Sequence, residues 1–279
     1  MSISVLILTK NEAANLPRCL ESVAWSDDIV VLDSGSTDDT VEIARAFGAK
    51  VFHRAFDDEA TQRAYSLTLP FKHRWVYNPD ADEVATVGLR DEMLAAVAVP
   101  DRAEVAYQCR FRNMFMGRWL RYSSLYPTWV IRLFRPDRMR FEREINLRYV
   151  ADGPVGALES HFEHHSFNNG LDAWFDKHNR YSSGEARESL ASLANSRVAW
   201  RSLLDFRPSH ARDRRRALKE LSFRMPMRPM LRFLYMYLWR GGVLDGIPGF
   251  HYCAMVSVYE YMIVLKMLEL RRRAAGKPL

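Results

Sequence analysis

Short β-branched runs that alternate with helically patterned segments constrain this chain more than any other feature. Ser4 to Leu8 is an apolar run short enough for a buried parallel strand. Ala14 to Val23 then carries Leu16, Cys19, Leu20 and Val23 at helical spacing. Ile29 to Leu32 predicts a second strand. Val41, Ile43, Ala44 and Phe47 predict the inner side of a helix capped by Thr37 or Asp38. Gly48 ends that helix, and Lys50 to His53 predicts a third strand. A polar loop over Asp57 to Gln62 and a helix over Arg63 to Leu69 lead to a strand ending at Tyr77. Alternation at this spacing predicts βαβ units and an α/β fold.

Ligands of such sheets sit outside the carboxyl ends of the strands. Three polar clusters fall at those ends: Thr9-Lys10-Asn11-Glu12, Asp33 to Asp38, and Asp80-Ala81-Asp82. They are distant in sequence and are expected to converge on one crevice. In an extended segment Asp80 and Asp82 point to the same side. Carboxylates that close repel unless a positive charge lies between them. A hard divalent cation that also carries substrate phosphates meets that need. The plainer readings are an acidic turn for Asp80-Ala81-Asp82, and a turn plus helix cap for Asp33-Ser34-Gly35.

Composition narrows the class. The chain has 279 residues, of which 48% are hydrophobic, enough for one large domain or a domain with an appendage. Cys19, Cys109 and Cys253 are too few and too scattered for a disulfide or zinc framework, which fits a reducing compartment. Met1 to Leu8 lacks the features of a signal peptide. The net charge of +6 suits an anionic partner. Nucleic acid is not expected, because no recognition-helix or stacking-strand signature accompanies that charge.

Thr9 to Glu12, Val31 to Asp38 and Asp80 to Glu83 together resemble family 2 glycosyltransferases, inverting enzymes of the GT-A fold that use nucleotide-diphosphate sugars. The resemblance is nearest to the branch containing lipopolysaccharide core glucosyltransferases. Trp25, Gln62-Arg63, Tyr126-Pro127, Arg132-Leu133-Phe134, Asp152 to Gly156, Arg180-Tyr181-Ser182 and Tyr237 to Gly246 extend it over nearly the whole chain. It implies a Rossmann-like nucleotide-sugar-binding domain with a mixed sheet; the change of composition near residue 185 bounds that domain at 1–185 and leaves a helical appendage over 186–279. By the same resemblance Thr9, Asn11, Glu12, Asp33 and Gly35 line the nucleotide pocket, with Asp33 accepting from the base, expected to be uracil. Asp80 contacts ribose or metal, Arg63 is a diphosphate or sugar contact, and Asp82 is the main ligand of Mg²⁺ or Mn²⁺. A solvated helix arginine is the plain alternative for Arg63.

Inversion requires a base opposite the leaving nucleotide. Here the chain departs from its relatives, which carry a His-Glu pair shortly before the Asp-Gly-Pro-Val-Gly stretch. Asn146-Leu147 stand there, and neither acts as a base. Glu142 and Glu144 are the nearby substitutes; solvent-facing strand residues are the alternative. The departure keeps open a nucleotide-binding scaffold without turnover. His161 to His165 lacks the order of a zinc motif. The resemblance makes His164 a further metal or diphosphate contact, against a structural histidine.

Beyond about residue 185 the chain turns basic and aromatic, with the run Arg212 to Arg216. Met230 to Trp239 and Phe250 to Leu270 predict helices, separated by Gly241-Gly242 and a turn over Gly246 to Gly249. The first is too short to span a bilayer, and the second carries His251, Glu260 and Lys266. Arginine-flanked apolar faces suit an anionic membrane surface; packing on the catalytic domain or a homo-oligomer contact are the alternatives. The expectation is a peripheral protein at the inner face of the cytoplasmic membrane, acting on a glycolipid or lipopolysaccharide acceptor.

Overall fold

The computed structural model describes residues 2–100, 102–142, 148–195, 225 and 227–279, excepting the side chains of 142, 148, 194 and 195. The chain divides into two compact units, Met1–Arg121 with Leu125–Gly170, and Tyr122–Ser124 with Leu171–Leu279.

The first unit opens with strand–helix alternation: β1 (Ser4–Thr9), α1 (Leu16–Val23), β2 (Ile29–Asp33), α2 (Thr40–Ala46), β3 (Lys50–His53) and α3 (Glu59–Ser66). β4 (Val76–Tyr77), β5 (Glu83–Ala85) and α4 (Val87–Ala98) follow. The remaining strands are β6 (Ala106–Phe115), β7 (Arg118–Trp119), β8 (Trp129–Phe134), β9 (Met139–Glu142), β10 (Arg148–Ala151) and β11 (Val155–His164). The sheet runs β3-β2-β1-β4-β8-β6-β11-β5. β3, β2, β1 and β4 are mutually parallel, while β8 is antiparallel to both neighbours. This is the expected mixed-sheet α/β architecture of the GT-A class. Leu16, Cys19 and Leu20 of α1 join Leu89 and Met93 of α4 in one core cluster. Leu69, Phe134 and Met139 join Leu6, Val30 and Leu32 in another. Burial on both faces explains why β1 and β2 read as continuous apolar runs.

Local boundaries differ where polar side chains act as caps. α3 starts inside the segment read as a loop, because the Asp58 carboxylate accepts from Thr61 N at 2.9 Å. α2 starts at Thr40 after the N-cap Asp39, which makes no side-chain cap bond; Asp38, one residue earlier, accepts from Thr40 N at 3.2 Å, so neither Thr37 nor Asp38 is the N-cap.

Asp28, at the start of the sheet, is buried and accepts from Ser4 Oγ, Lys72 N and Lys50 Nζ. Burial alone would raise its pKa, but the bonds from Lys50, Ser4 and Lys72 outweigh it and hold the carboxyl below its ordinary value. A depressed folded-state pKa gives stability that is complete above the unfolded value of about 3.9 and lost as pH falls through the folded one. Asp28→Asn should therefore lower stability by about 1–3 kcal/mol at pH 7 and flatten the acid limb of a urea-denaturation series below about pH 4. An unchanged acid limb would exclude Asp28 as the group responsible.

In the second unit, α5 (Gly170–Asn195), α6 (Arg228–Leu234) and α7 (Gly246–Ala274) are the described helices of eight or nearly eight residues and more. The boundary expected near residue 185 falls within α5. Ala186 of α5 packs with Ile263 and Met267 of α7. The polar residues of the second apolar stretch make helix contacts: Glu260 pairs with Arg228 at 2.6 Å, and Lys266 donates to Asn179 Oδ1 at 2.7 Å. Gly246 to Gly249 is the first turn of α7 rather than a separate turn. A Cβ on Gly249 would lie 2.3 Å from the Gly242 carbonyl, so the chain needs glycine there to approach itself. Asp245 accepts from Ser123 N at 2.7 Å and Tyr122 N at 3.0 Å. No described helix is long and apolar enough to cross a membrane. The run Arg212 to Arg216 lies outside the described residues.

Candidate active site

The loops after β1 and β2 lock together at the carboxyl end of the sheet. Thr9 Oγ1 donates to Asp33 Oδ1 at 3.2 Å, Asn11 N to Ser36 Oγ at 2.9 Å, and Thr37 N to Asn11 Oδ1 at 2.8 Å. Glu12 N donates to Thr40 Oγ1 at 2.8 Å. Asn11 holds φ 55° and Gly35 φ 84°, left-handed conformations that suit asparagine and glycine. The buried Asp33 also accepts from Gly35 N and Ser36 N, each at 2.9 Å. Burial would raise its pKa, but these donors from Ser36, Gly35 and Thr9 bring it below its ordinary value. Asp33 thus organises its own turn, as the plainer reading held, with an ionised carboxylate at the strand end.

The third cluster joins the other two through a parallel bridge between Leu8 and Asp80. Its geometry differs from the extended pair drawn from sequence. Glu83 N donates to Asp80 O at 2.9 Å, so the segment curls into a turn and i, i+2 alternation does not apply. Asp80 takes Arg63 Nη2 on Oδ1 at 2.9 Å and Arg132 Nη2 on Oδ2 at 2.5 Å. Arg132 also pairs with the buried Glu83, and both arginines donate to Tyr149 Oη. Arg63 donates to Asn78 as well and is 8% exposed, so it is not a solvated helix arginine. Burial opposes ionisation of Asp80, yet Arg132 and Arg63 hold its carboxyl well below the carboxylate range. Glu83 has Asp80 beside it and the one guanidinium; burial prevails and pushes it up to about 7.

Asp82 takes a different partner. Its Oδ2 lies 3.2 Å from His164 Nε2, at the end of β11. Burial would depress the His164 pKa, but Asp82 outweighs it and raises it. The Asp82 carboxylate suits Mg²⁺ or Mn²⁺, which take few protein ligands and fill their remaining positions with water and phosphate, whereas the imidazole nitrogen suits a transition metal rather than Mg²⁺. Asp82 is 23% exposed in its side chain, which leaves it open to such a ligand set. The pair fits a metal completed by substrate. Among the described residues no group of three His, Cys, Asp or Glu forms a closed protein site. His165 Nε2 lies 3.1 Å from Arg18 and 3.3 Å from Glu163, so neighbouring histidines do not share one centre.

Glu144 lies outside the described residues, as does the side chain of Glu142 on β9. Arg132, Glu83 and Tyr149 were not singled out as site residues from sequence. The signal available was Arg132 inside the apolar strand Trp129 to Phe134, since a buried arginine requires partners.

A family model described as glycosyl transferase family 2 matches residues 4–164. An uncharacterized glycosyltransferase of Rickettsia typhi is 34% identical over 52% of this chain and 50% of its own length. The chain thus spans about half the length of that relative. The lipopolysaccharide core biosynthesis glycosyltransferase LpsC of Rhizobium meliloti is 22% identical over 96% of this chain and 93% of its own. Among solved structures, glucosyl-3-phosphoglycerate synthase of Mycobacterium tuberculosis, in complex with Mn²⁺, UDP and glucosyl-3-phosphoglycerate, is 25% identical. It covers 40% of this chain and 44% of its own, with a TM-score of 0.35.

Proposed function

Because this chain belongs to glycosyl transferase family 2, we propose that it transfers a hexose, with inversion, from a UDP-linked donor to a lipopolysaccharide or lipid-linked acceptor. The observation that carries this reading is the convergence of Thr9, Asn11, Asp33 and Asp80 on one end of the sheet, beside the Asp82–His164 pair. Thr9, Asn11, Glu12, Asp33 and Gly35 hold base and ribose. Arg63 and Arg132 fix Asp80 and bring positive charge to the diphosphate side. A divalent cation on Asp82 and His164, when bound, neutralises charge on the departing nucleotide. Glu142 and Glu144 are the candidates for the base that takes the acceptor proton. The catalytic part extends over residues 1–185 and the appendage over 186–279.

We place the protein peripherally, at the inner face of the cytoplasmic membrane. Trp239 is 85% exposed, Ile247 70% and Leu244 64%, with Arg240 beside them in sequence. Apolar side chains next to an arginine suit the headgroup boundary of an anionic bilayer.

The test pairs two assays. Labelled sugar from UDP-sugars should enter a membrane extract in the presence of Mn²⁺. Nucleotide binding without transfer would instead make the protein a scaffold on this fold. Anionic liposomes should float the protein at low salt and release it at high salt, because exposed charges are screened within a Debye length. Trp239→Ser with Ile247→Ser should reduce flotation several-fold. Indifference to liposomes at every salt, with a dimer in light scattering, would give this face to a second copy.

A further inference from the structure

Arg110 and Arg112 lie two apart on β6 and share one face of the sheet. Their register partners on β11 are His161 and Glu163, and Arg110 also faces Trp129 of β8. The Arg110 guanidinium lies 5.2 Å from the Trp129 ring centre, and that of Arg112 4.4 Å from Trp119. The Nε of both arginines and the Nε1 of Trp119 are buried without a hydrogen-bond partner. Among the described residues Arg110 pairs with Glu159 at 3.1 Å, a carboxylate whose side chain is 79% exposed. No carboxylate among the described residues pairs with Arg112. Glu163, next to it in register, turns to His165 at 3.3 Å.

This arrangement contrasts with that of Arg63 and Arg132, which are buried against carboxylates. Arg110 shares its fork with the exposed Glu159, whereas half-buried Arg112 has no carboxylate partner among the described residues, and a buried donor such as its Nε left unpaired is costly. Stacking on an indole holds its plane but leaves the in-plane donors of the fork free. Those donors match an oxyanion, which a fork binds with two parallel bonds. Burial first, and then the Arg112 charge, lower the pKa of the neighbouring His161; Glu163 opposes them and Arg110 adds to the lowering. Glu163 directly precedes His164, the partner of Asp82, so the cluster sits at the same end of the sheet as the candidate metal pair.

We propose that Arg110 and Arg112, stacked on Trp129 and Trp119, bind an oxyanion, a phosphate ester or a carboxylate, carried by the acceptor glycan. The word acceptor rests on the transferase reading above; the anion site does not.

Calorimetric titration of the full-length protein with glucose 6-phosphate, glucuronate and glucose tests it. Binding of one or both charged sugars, with glucose at least about tenfold weaker, is the expected result. A response to the phosphate alone assigns a phosphorylated acceptor, and to the uronate alone a carboxylated one. Arg112→Gln and Arg110→Gln should each weaken the charged sugar about tenfold or more, with Arg112→Lys intermediate. The melting temperature of Arg112→Gln should hold or rise, because the variant removes an uncompensated charge. Charged-sugar affinity unchanged in both glutamine variants, or glucose binding equally well, would overturn the proposal. UDP with Mn²⁺, titrated in parallel, separates the two readings. Arginine-dependent binding of a charged sugar without any UDP binding would sink the transferase reading and leave the anion site standing.

Discussion

Arg132→Met should lower the stability of this protein by about 3–5 kcal/mol and its melting temperature by on the order of 10 °C. The variant has nearly the volume of the native residue, so the loss comes from charge. It leaves Asp80 with Arg63 alone and takes from Glu83 the guanidinium that favours its ionised form, so Glu83, already pushed up to about 7, must bind a proton or lie buried as an unpaired charge. Removing one member of a buried pair costs more than the pair contributes, because the remaining charge is stranded. The double variant Arg132→Met/Glu83→Gln should recover part of the loss, since the stranded carboxylate is gone. Denaturant titrations of wild type, both single variants and the double variant give the coupling. A single variant as stable as wild type would mean that Arg132 is not the keystone of the cluster. Arg132→Lys should also fall short, because one ammonium cannot reproduce a fork that reaches Asp80, Glu83 and Tyr149 together.

Asp82→Asn should leave the fold intact and reduce sugar transfer by at least about a hundredfold. The side chain is partly exposed and its described ion pair is with His164, so stability should change by no more than about 0.5 kcal/mol. Calorimetry distinguishes this from a general weakening of the pocket. Donor affinity in Mn²⁺ should drop, while affinity in chelator stays level. Wild-type turnover of the variant at low Mn²⁺ would rule out Asp82 as a metal ligand.

The strands were legible because β1 and β2 are buried on both sides and their residues record it. The convergence of the first two loops was legible for the same reason, once the strands were known to be parallel. The arginine cluster was not. Its members come from α3, β5, β8 and β10, and β8 enters the sheet antiparallel between β4 and β6. No local pattern encodes that pairing. Asp80 and Asp82 misled because period-2 reasoning assumes an extended chain, whereas the hydrogen bond from Glu83 N curls it. His164 was reached by resemblance alone, since its spacing to Asp82 in sequence says nothing of their contact.

The bonds from Tyr122 and Ser123 to Asp245 bear on how this protein can be cut or recombined. Three residues from the middle of the chain are folded into the unit otherwise built from its last hundred or so residues. Deleting the chain from Asp245 onward, or grafting helices of a cousin that lack this aspartate, would strip those residues of their anchor even though the cut lies far downstream. The C-terminal helices are consequently not a detachable cassette. Any chimera built from this protein should carry Tyr122–Ser124 and Asp245 across as a matched set.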